Sequence, residues 1–123
     1  MARVPLVCVV DDDESVRESL PPLLRTVGYG VEAYASAEDF LASLSAAHAD
    51  CLILDVRMPG MTGPDLQREL AARRREIPIV FITAHGDDTI RPLLLEQGAV
   101  ACLRKPFSEE ALLGAVEVAL KSR

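Results

Sequence analysis

Short apolar runs that alternate with segments of helical periodicity are the feature that most constrains this 123-residue chain. An uninterrupted apolar run bounded by turn residues is typical of a strand buried on both faces, as in a parallel sheet. Between the runs, apolar residues recur at helical spacing, as Val16, Leu20 and Leu24 do. Because parallel crossovers are right-handed, this order predicts an α/β fold, a (βα)5 doubly wound parallel five-stranded sheet. The predicted strands are residues 6–10, 31–35, 51–54, 79–82 and 100–103.

The first two helices carry distinct local signals. Proline inside a helix costs about 3 kcal/mol, so we expect the first helix to be bent or broken at Pro21-Pro22. Val27 falls on the apolar face of that helix. Ser36 is expected to cap the second helix, whose apolar face includes Phe40 and Leu44.

The remaining helices are bounded by cap and turn residues. The third is predicted from residue 64 to about residue 75, ending in three arginines that suit the negative end of a helix dipole. Asp87 or Asp88 is expected to cap the fourth helix, and Pro92 should make its first turn irregular or late. Ser108 is expected to cap the fifth.

Composition limits the class of protein, the partners and the cellular location that the chain can have. Half of the residues are apolar, which predicts one folded domain over residues 1–123. The net charge is -6 without a basic tail, so direct binding of nucleic acid is not expected. No membrane span or signal peptide is recognisable, and three cysteines without zinc spacing predict buried thiols in a cytoplasmic protein. These cysteines are Cys8, Cys51 and Cys102.

Polar residues follow the predicted strands where each strand ends. Asp11 and Asp12 follow the first, Asp55 the third, Thr83 the fourth and Lys105 the fifth. Each alone is also typical of a helix cap or a turn. Because the carboxyl ends of parallel strands meet at one edge, where such sheets bind ligands, we expect these side chains to converge.

The predicted cluster has the composition of a phosphoryl-transfer site. Two carboxylates about 4 Å apart repel by roughly 4 kcal/mol at an effective dielectric near 20, which a hard cation would offset. Oxygen ligands without histidine or cysteine favour Mg²⁺ or Mn²⁺. Asp55 is then a candidate nucleophile, and Lys105 and Thr83 are candidates to stabilise a phosphoryl group.

Four segments together resemble a known family. They are VVDDDES at 9–15, LDVRMPGMTG at 54–63, FITAHG at 81–86 and LRKPF at 103–107. In this order and spacing the chain resembles, over essentially its whole length, the CheY-like receiver domains of two-component response regulators. The sequences of the middle two segments are most similar to those of nitrogen-fixation-type (FixJ-like) regulators, whose output is a helix-turn-helix DNA-binding domain.

The resemblance implies a specific site. It implies the flavodoxin-like strand order 2-1-3-4-5 and transfer of phosphate from a sensor histidine kinase to Asp55. Asp12 and Asp55 would bind Mg²⁺ directly, Asp11 through water, and Arg57 through its backbone carbonyl. Lys105 would pair with the phosphoryl oxygens.

The resemblance also implies a switch. Thr83 would turn toward the phosphoryl group and repack the face made by helix 4, strand 5 and helix 5, which is also the expected homodimer surface. The protein would assist its own phosphorylation and dephosphorylation rather than act as an enzyme on an external substrate. Arg57 and His85 would flank the phosphorylated residue, with solvent exposure as the plain alternative. The output domain would lie outside this chain.

One position departs from the family pattern. Three residues before the lysine, where the family usually has Tyr or Phe, the chain has Cys102. The plain interpretation is a buried strand residue, and the departure puts the aromatic part of the switch in doubt. We therefore hypothesise that switching moves the loop from Ala84 to Pro92 instead.

Two other classes of protein compete with this interpretation. A haloacid-dehalogenase-like phosphatase also uses a nucleophilic Asp with Mg²⁺, but it expects DxDx[TV], whereas this chain reads DDDES at 11–15. A pseudo-receiver, a binding module that never carries phosphate, would not be expected to retain the full Asp, Thr and Lys set.

Overall fold

A five-stranded parallel sheet forms the centre of the computed structural model, which describes residues 3–84 and 89–122. The strand order is β2-β1-β3-β4-β5, which confirms the predicted fold class and order. The central strand β3 is buried at all five positions, as its apolar run predicts. The strands are β1 Leu6–Val10, β2 Gly30–Tyr34, β3 Cys51–Asp55, β4 Ile79–Thr83 and β5 Ala101–Arg104.

Helices cover both faces of the sheet. Phe40, Leu66 and Leu94 pack in one apolar layer, and Leu24 and Leu112 pack in the other. The first layer therefore contains α2, α3 and α4, and the second contains α1 and α5. The described helices are α1 Glu14–Thr26, α2 Ala37–Ala42, α3 Gly63–Ala72, α4 Arg91–Glu96 and α5 Glu109–Lys121.

Helix α1 runs continuously through both of its prolines, so of the predicted bend or break, the break is wrong and the bend stays a prediction. Asp13 caps its start by accepting from the Ser15 N–H, and Leu20, Pro21 and Leu24 are buried against the sheet. Burial of this face offsets the two missing N–H donors. The placement of Val27 on the apolar face is also wrong, because Val27 is the C-cap and is 48% exposed.

Helix α2 is shorter than its apolar pattern predicts. Ser36 accepts from the Asp39 N–H and Phe40 is fully buried, as expected. Ser43 is extended, however, and ends the helix. Leu44 then begins a short 3-10 turn and is 87% exposed, so its predicted place on the apolar face is wrong.

Helix α3 begins with a capping box and ends three residues before the predicted position. The Thr62 hydroxyl accepts from the Asp65 N–H, and the Asp65 carboxylate accepts from the Thr62 N–H. At the other end Arg74 is left-handed, with φ of 57°. The Arg75 N–H donates to the Leu70 carbonyl at 2.8 Å, which closes the helix.

The last two helices begin largely as predicted. Helix α4 starts late, at Arg91, with Pro92 in its first turn. The predicted caps Asp87 and Asp88 lie outside the described residues. Ser108 caps α5 by accepting from the Ala111 N–H.

All three cysteines are buried thiols, as predicted. Burial raises the pKa of Cys8 and of Cys51 to about 12, so neither forms a thiolate near neutral pH. Within the described ranges, no helix has the length and apolar character needed to cross a membrane.

Candidate functional site

The ends of three strands bring the predicted site residues together. Asp11 follows β1, Asp55 ends β3 and Lys105 follows β5. One carboxylate oxygen from each of Asp11, Asp12 and Asp55 lies within 4.8 Å of the others. Asp11 is fully buried and Asp55 is 5% exposed, whereas Asp12 faces solvent. The predicted convergence of the carboxylates and the lysine is confirmed.

Asp11 is fixed by hydrogen bonds from several elements. Its N–H donates to the Tyr34 carbonyl at 3.1 Å, which continues the pairing of β1 with β2. Its carboxylate accepts from the Asp13 N–H at 3.0 Å, and its carbonyl accepts from the Arg17 guanidinium at 3.0 Å. The carboxylate therefore has a defined position before any ligand arrives.

Lys105 bridges two of the carboxylates. Its Nζ lies 2.9 Å from Asp11 Oδ2 and 3.7 Å from Asp55 Oδ1. Its backbone N–H donates to the Thr83 carbonyl at 2.8 Å, which holds the residue at the sheet edge. Burial by itself lowers the pKa of Lys105, but the hydrogen bond to Asp11 and the charges of Asp55 and Asp11 outweigh it. The pKa is raised, so the amine stays protonated.

Asp55 titrates far from the usual range of a carboxyl group. Burial is the main cause, and the Asp11 charge adds to it; the Lys105 charge opposes them, and the pKa of Asp55 is raised to about 7. One lysine thus leaves the three carboxylates with excess negative charge. Closely spaced oxygen donors with excess negative charge, and no nitrogen or sulfur ligand among them, suit a hard divalent cation. The residues present therefore fit a magnesium site.

A carboxylate from α2 holds the loop between β3 and α3. Glu38 Oε2 accepts from the Met61 N–H at 3.1 Å. Gly60 has φ of 73°, and a Cβ there would lie 2.7 Å from the same oxygen. This loop contains Arg57, whose side chain is exposed. The role of Glu38 was not predictable from the sequence, because its partner is a backbone group distant in the chain and no local pattern marks such a contact.

Thr83 lies at the expected edge of the sheet and is 5% exposed. Its hydroxyl donates to the Ala84 carbonyl at 3.3 Å. The motion of Thr83 toward a phosphoryl group therefore stays a prediction. His85 lies outside the described residues.

Cys102 occupies the position where the resembled family usually has an aromatic residue. It lies in β5, opposite Phe81 of β4, and is 4% exposed. It packs in the same apolar layer as Leu94 of α4. The plain interpretation of Cys102 as a buried strand residue is confirmed.

Comparison with known families identifies the class of protein. Residues 7–117 match the family model described as response regulator receiver domain. The chain belongs to this family, whose members are signalling switches of two-component systems rather than classical enzymes. The haloacid-dehalogenase-like interpretation is therefore rejected.

Individual relatives agree with this assignment. The response regulator protein TodT of Pseudomonas putida is 45% identical over 119 residues, which are 97% of this chain and 52% of that protein. The chain thus spans about half the length of the curated relatives it matches. The solved structure of the response regulator StyR has a TM-score of 0.90 at 49% identity, covering 98% of this chain and 61% of that chain. The FixJ-N crystal structure has a TM-score of 0.88 at 36% identity, covering 99% and 98%.

Proposed function

We propose that Asp55 accepts a phosphoryl group from the phosphohistidine of a sensor histidine kinase, and that residues 1–123 act as one receiver domain in the cytoplasm. The observation that carries this proposal is the grouping of Asp11, Asp12 and Asp55 within 4.8 Å, with the Lys105 amine between two of them. Family membership supports it. A buried carboxylate at a sheet edge, beside a cation and further carboxylates, is suited to nucleophilic attack on phosphorus.

Four residues would hold the divalent cation. Asp12 and Asp55 would contribute carboxylate oxygens, Asp11 would contribute through water, and Arg57 would contribute its backbone carbonyl. Mg²⁺, or Mn²⁺ in its place, supplies positive charge to the carboxylates and to the incoming phosphoryl oxygens.

The residues of the chain have separate roles in the transfer. A carboxylate oxygen of Asp55 forms the new bond to phosphorus as the bond between phosphorus and the kinase imidazole nitrogen breaks, and that nitrogen keeps the electron pair. The product is an aspartyl phosphate. Lys105 then pairs with a phosphoryl oxygen, and the Thr83 hydroxyl leaves the Ala84 carbonyl to donate to another. Attack of water on phosphorus then breaks the bond between phosphorus and the Asp55 oxygen, which releases inorganic phosphate and returns Asp55 to the carboxylate.

The output of the domain follows from this local change. A phosphoryl group adds up to about two negative charges and three strong acceptors, enough to favour a second arrangement of nearby elements. The responding face is α4, β5 and α5, which would form a homodimer or contact a helix-turn-helix output domain outside this chain. Because Cys102 is already buried and small, the switch relies on the segment from Ala84 to Pro92 rather than on an aromatic rotation.

Intact-mass measurement after incubation with Mg²⁺ and acetyl phosphate tests the acceptor. We expect one added phosphoryl group on the unmodified protein and none on Asp55→Asn. Asp39→Asn, an exposed position on α2, is the matched control and should be phosphorylated normally. A phosphorylated Asp55→Asn variant would refute the assignment of Asp55, and an unmodified natural protein at all Mg²⁺ concentrations would favour a pseudo-receiver.

A further inference from the structure

A cavity lies at the opposite edge of the sheet from Asp55. It opens where β4 and β5 begin, between the carboxyl-terminal ends of α3 and α4, and its volume is about 810 Å³. Leu70 and Ile79 form a buried apolar floor, and Ile77 and Val100 are half-buried walls. A cavity of this size and lining accommodates a small organic molecule.

Two arginines at the rim of this cavity form no ion pair with the described part of the chain. Arg68 and Arg73, on the same helix and its cap, form ion pairs with Asp65 and Glu69. Among the described residues, neither Arg74 nor Arg75 forms an ion pair, although both line the cavity. In a chain of net charge -6, these two exposed guanidinium groups beside an apolar floor make a local site for an anion.

The backbone at this rim places arginine at an unfavourable position. Arg74 has φ of 57° and occupies the helix-ending position at which glycine is the usual residue. An L side chain at this position costs stability, so replacement by glycine removes the cation while easing the backbone. This makes Arg74→Gly a variant whose effect on binding is separable from loss of folding.

Gln67 provides an unsatisfied acceptor beside the cavity. The residue lines the cavity and is 8% exposed, and its Nε2 makes one long contact, 3.5 Å, to the Gln97 carbonyl. Its Oε1 is enclosed and accepts no hydrogen bond from any described residue. Exchange of the amide nitrogen and oxygen would place Oε1 against the Gln97 carbonyl oxygen, where two acceptors would repel. The orientation with Nε2 facing that carbonyl is therefore the better of the two. A buried acceptor without a donor is unfavourable, and turning into the cavity would break only the one long contact.

We propose that this cavity binds a small carboxylic acid that has an apolar body and carries an N–H or O–H group. The carboxylate pairs with Arg74 and Arg75, the apolar body covers the floor at Leu70 and Ile79, and the donor satisfies Gln67 once its side chain turns. Glu76 on the same rim disfavours a second negative charge, which limits the ligand to one carboxylate. This cavity and the proposed phosphorylation site lie at opposite edges of the sheet.

Nuclear magnetic resonance titration with three probes tests the proposal. Indole-3-acetate has the carboxylate and the N–H; 1-naphthaleneacetate lacks the N–H, and 3-methylindole lacks the carboxylate. We expect indole-3-acetate to shift the amide signals of the lining residues, with about tenfold weaker binding of each of the other two. Absence of any shift up to about 10 mM, a range that detects dissociation constants near 1 mM, would overturn the proposal.

Variants of the lining residues separate binding from folding. Arg74→Gly should bind indole-3-acetate at least about fivefold more weakly while unfolding at an equal or higher temperature. Gln67→Leu should abolish the preference for indole-3-acetate over 1-naphthaleneacetate. Arg68→Gln, at an exposed position outside the cavity, is the matched control and should bind normally. Equal affinity in Arg74→Gly, or an unchanged preference in Gln67→Leu, would overturn the assigned contacts.

Discussion

The close approach of α3 to the end of β3 makes Gly63→Ala a demanding test of the site architecture. Gly63 is the first residue of α3, and its N–H donates to the Val56 carbonyl at 3.0 Å. A Cβ at this position would overlap the Asp55 carbonyl oxygen and lie 3.1 Å from both Phe81 Cε1 and Val56 Cα. Two of these neighbours are backbone atoms, of the last residue of the central strand and of the residue after it, and the third is a fully buried ring. None of them is a flexible chain end that can move aside.

The expected cost follows from this geometry. Forcing one extra carbon into a packed site with backbone neighbours typically costs about 1–3 kcal/mol, and the gain in helix propensity at a first helical position is small. We expect Gly63→Ala to lose about 2–3 kcal/mol of unfolding free energy. For a domain of this size that lowers the midpoint of thermal unfolding by roughly 10 °C. Urea unfolding followed by far-ultraviolet circular dichroism measures the loss.

Gly114→Ala is the matched control for this substitution. Gly114 lies inside α5, is exposed, and a Cβ there would meet nothing within 4 Å. The control should gain about 0.5–1 kcal/mol from helix propensity. If Gly63→Ala proved as stable as Gly114→Ala, the packing of α3 against the Asp55 strand would not be as tight as described, and the reasoning would fail.

The remaining predictions concern titration, capping and thiol reactivity. Because the pKa of Asp55 is raised to about 7 in the fold, the native state binds the extra proton; without divalent cations, stability should rise as pH falls from about 8 to about 5. Unfolding curves across that range check this, and the rise should be largely absent in Asp55→Asn. Thr62→Ala breaks the capping box and should lose about 1 kcal/mol in urea unfolding, and a change below the measurement error would contradict the assigned cap. Cys8 and Cys51 should resist iodoacetamide at neutral pH until the protein is unfolded, as followed by mass spectrometry, and rapid labelling of the native protein would contradict their burial.

The strands and the convergence of charged groups were predictable because both are recorded locally in the sequence. An apolar run such as that of β3 specifies burial on two faces, and Asp55 follows it directly. Once the strands are parallel, topology alone brings Asp11 and Lys105 to the same edge. The site required no knowledge of side-chain packing to locate.

The errors arose where a local signal competed with tertiary packing or with one backbone angle. The low helix propensity of Pro21-Pro22 is outweighed by the burial of that face of α1. Leu44 has helical spacing from Phe40, but the extended backbone of Ser43 removes it from the core. The end of α3 depends on the left-handed backbone angle of Arg74. Glycine usually adopts this angle, so an arginine at this position does not signal the end of a helix. Glu38 pairs across 23 positions with a backbone N–H, so no periodicity records it.

The contact between Glu38 and the Met61 N–H makes the shape of the loop after β3 depend on an exposed residue of α2. Helix α2 has six residues, and Glu38 is exposed, so substitution of Glu38 should change the stability of the fold little. The same carboxylate nevertheless anchors the loop that contains Arg57 and directly follows Asp55. Chimeric regulators built by exchanging loops between receivers would therefore inherit a mismatched anchor unless α2 is transferred together with the loop. In this domain α2 and the loop between β3 and α3 have to be exchanged together, since the loop alone lacks the carboxylate that fixes its shape.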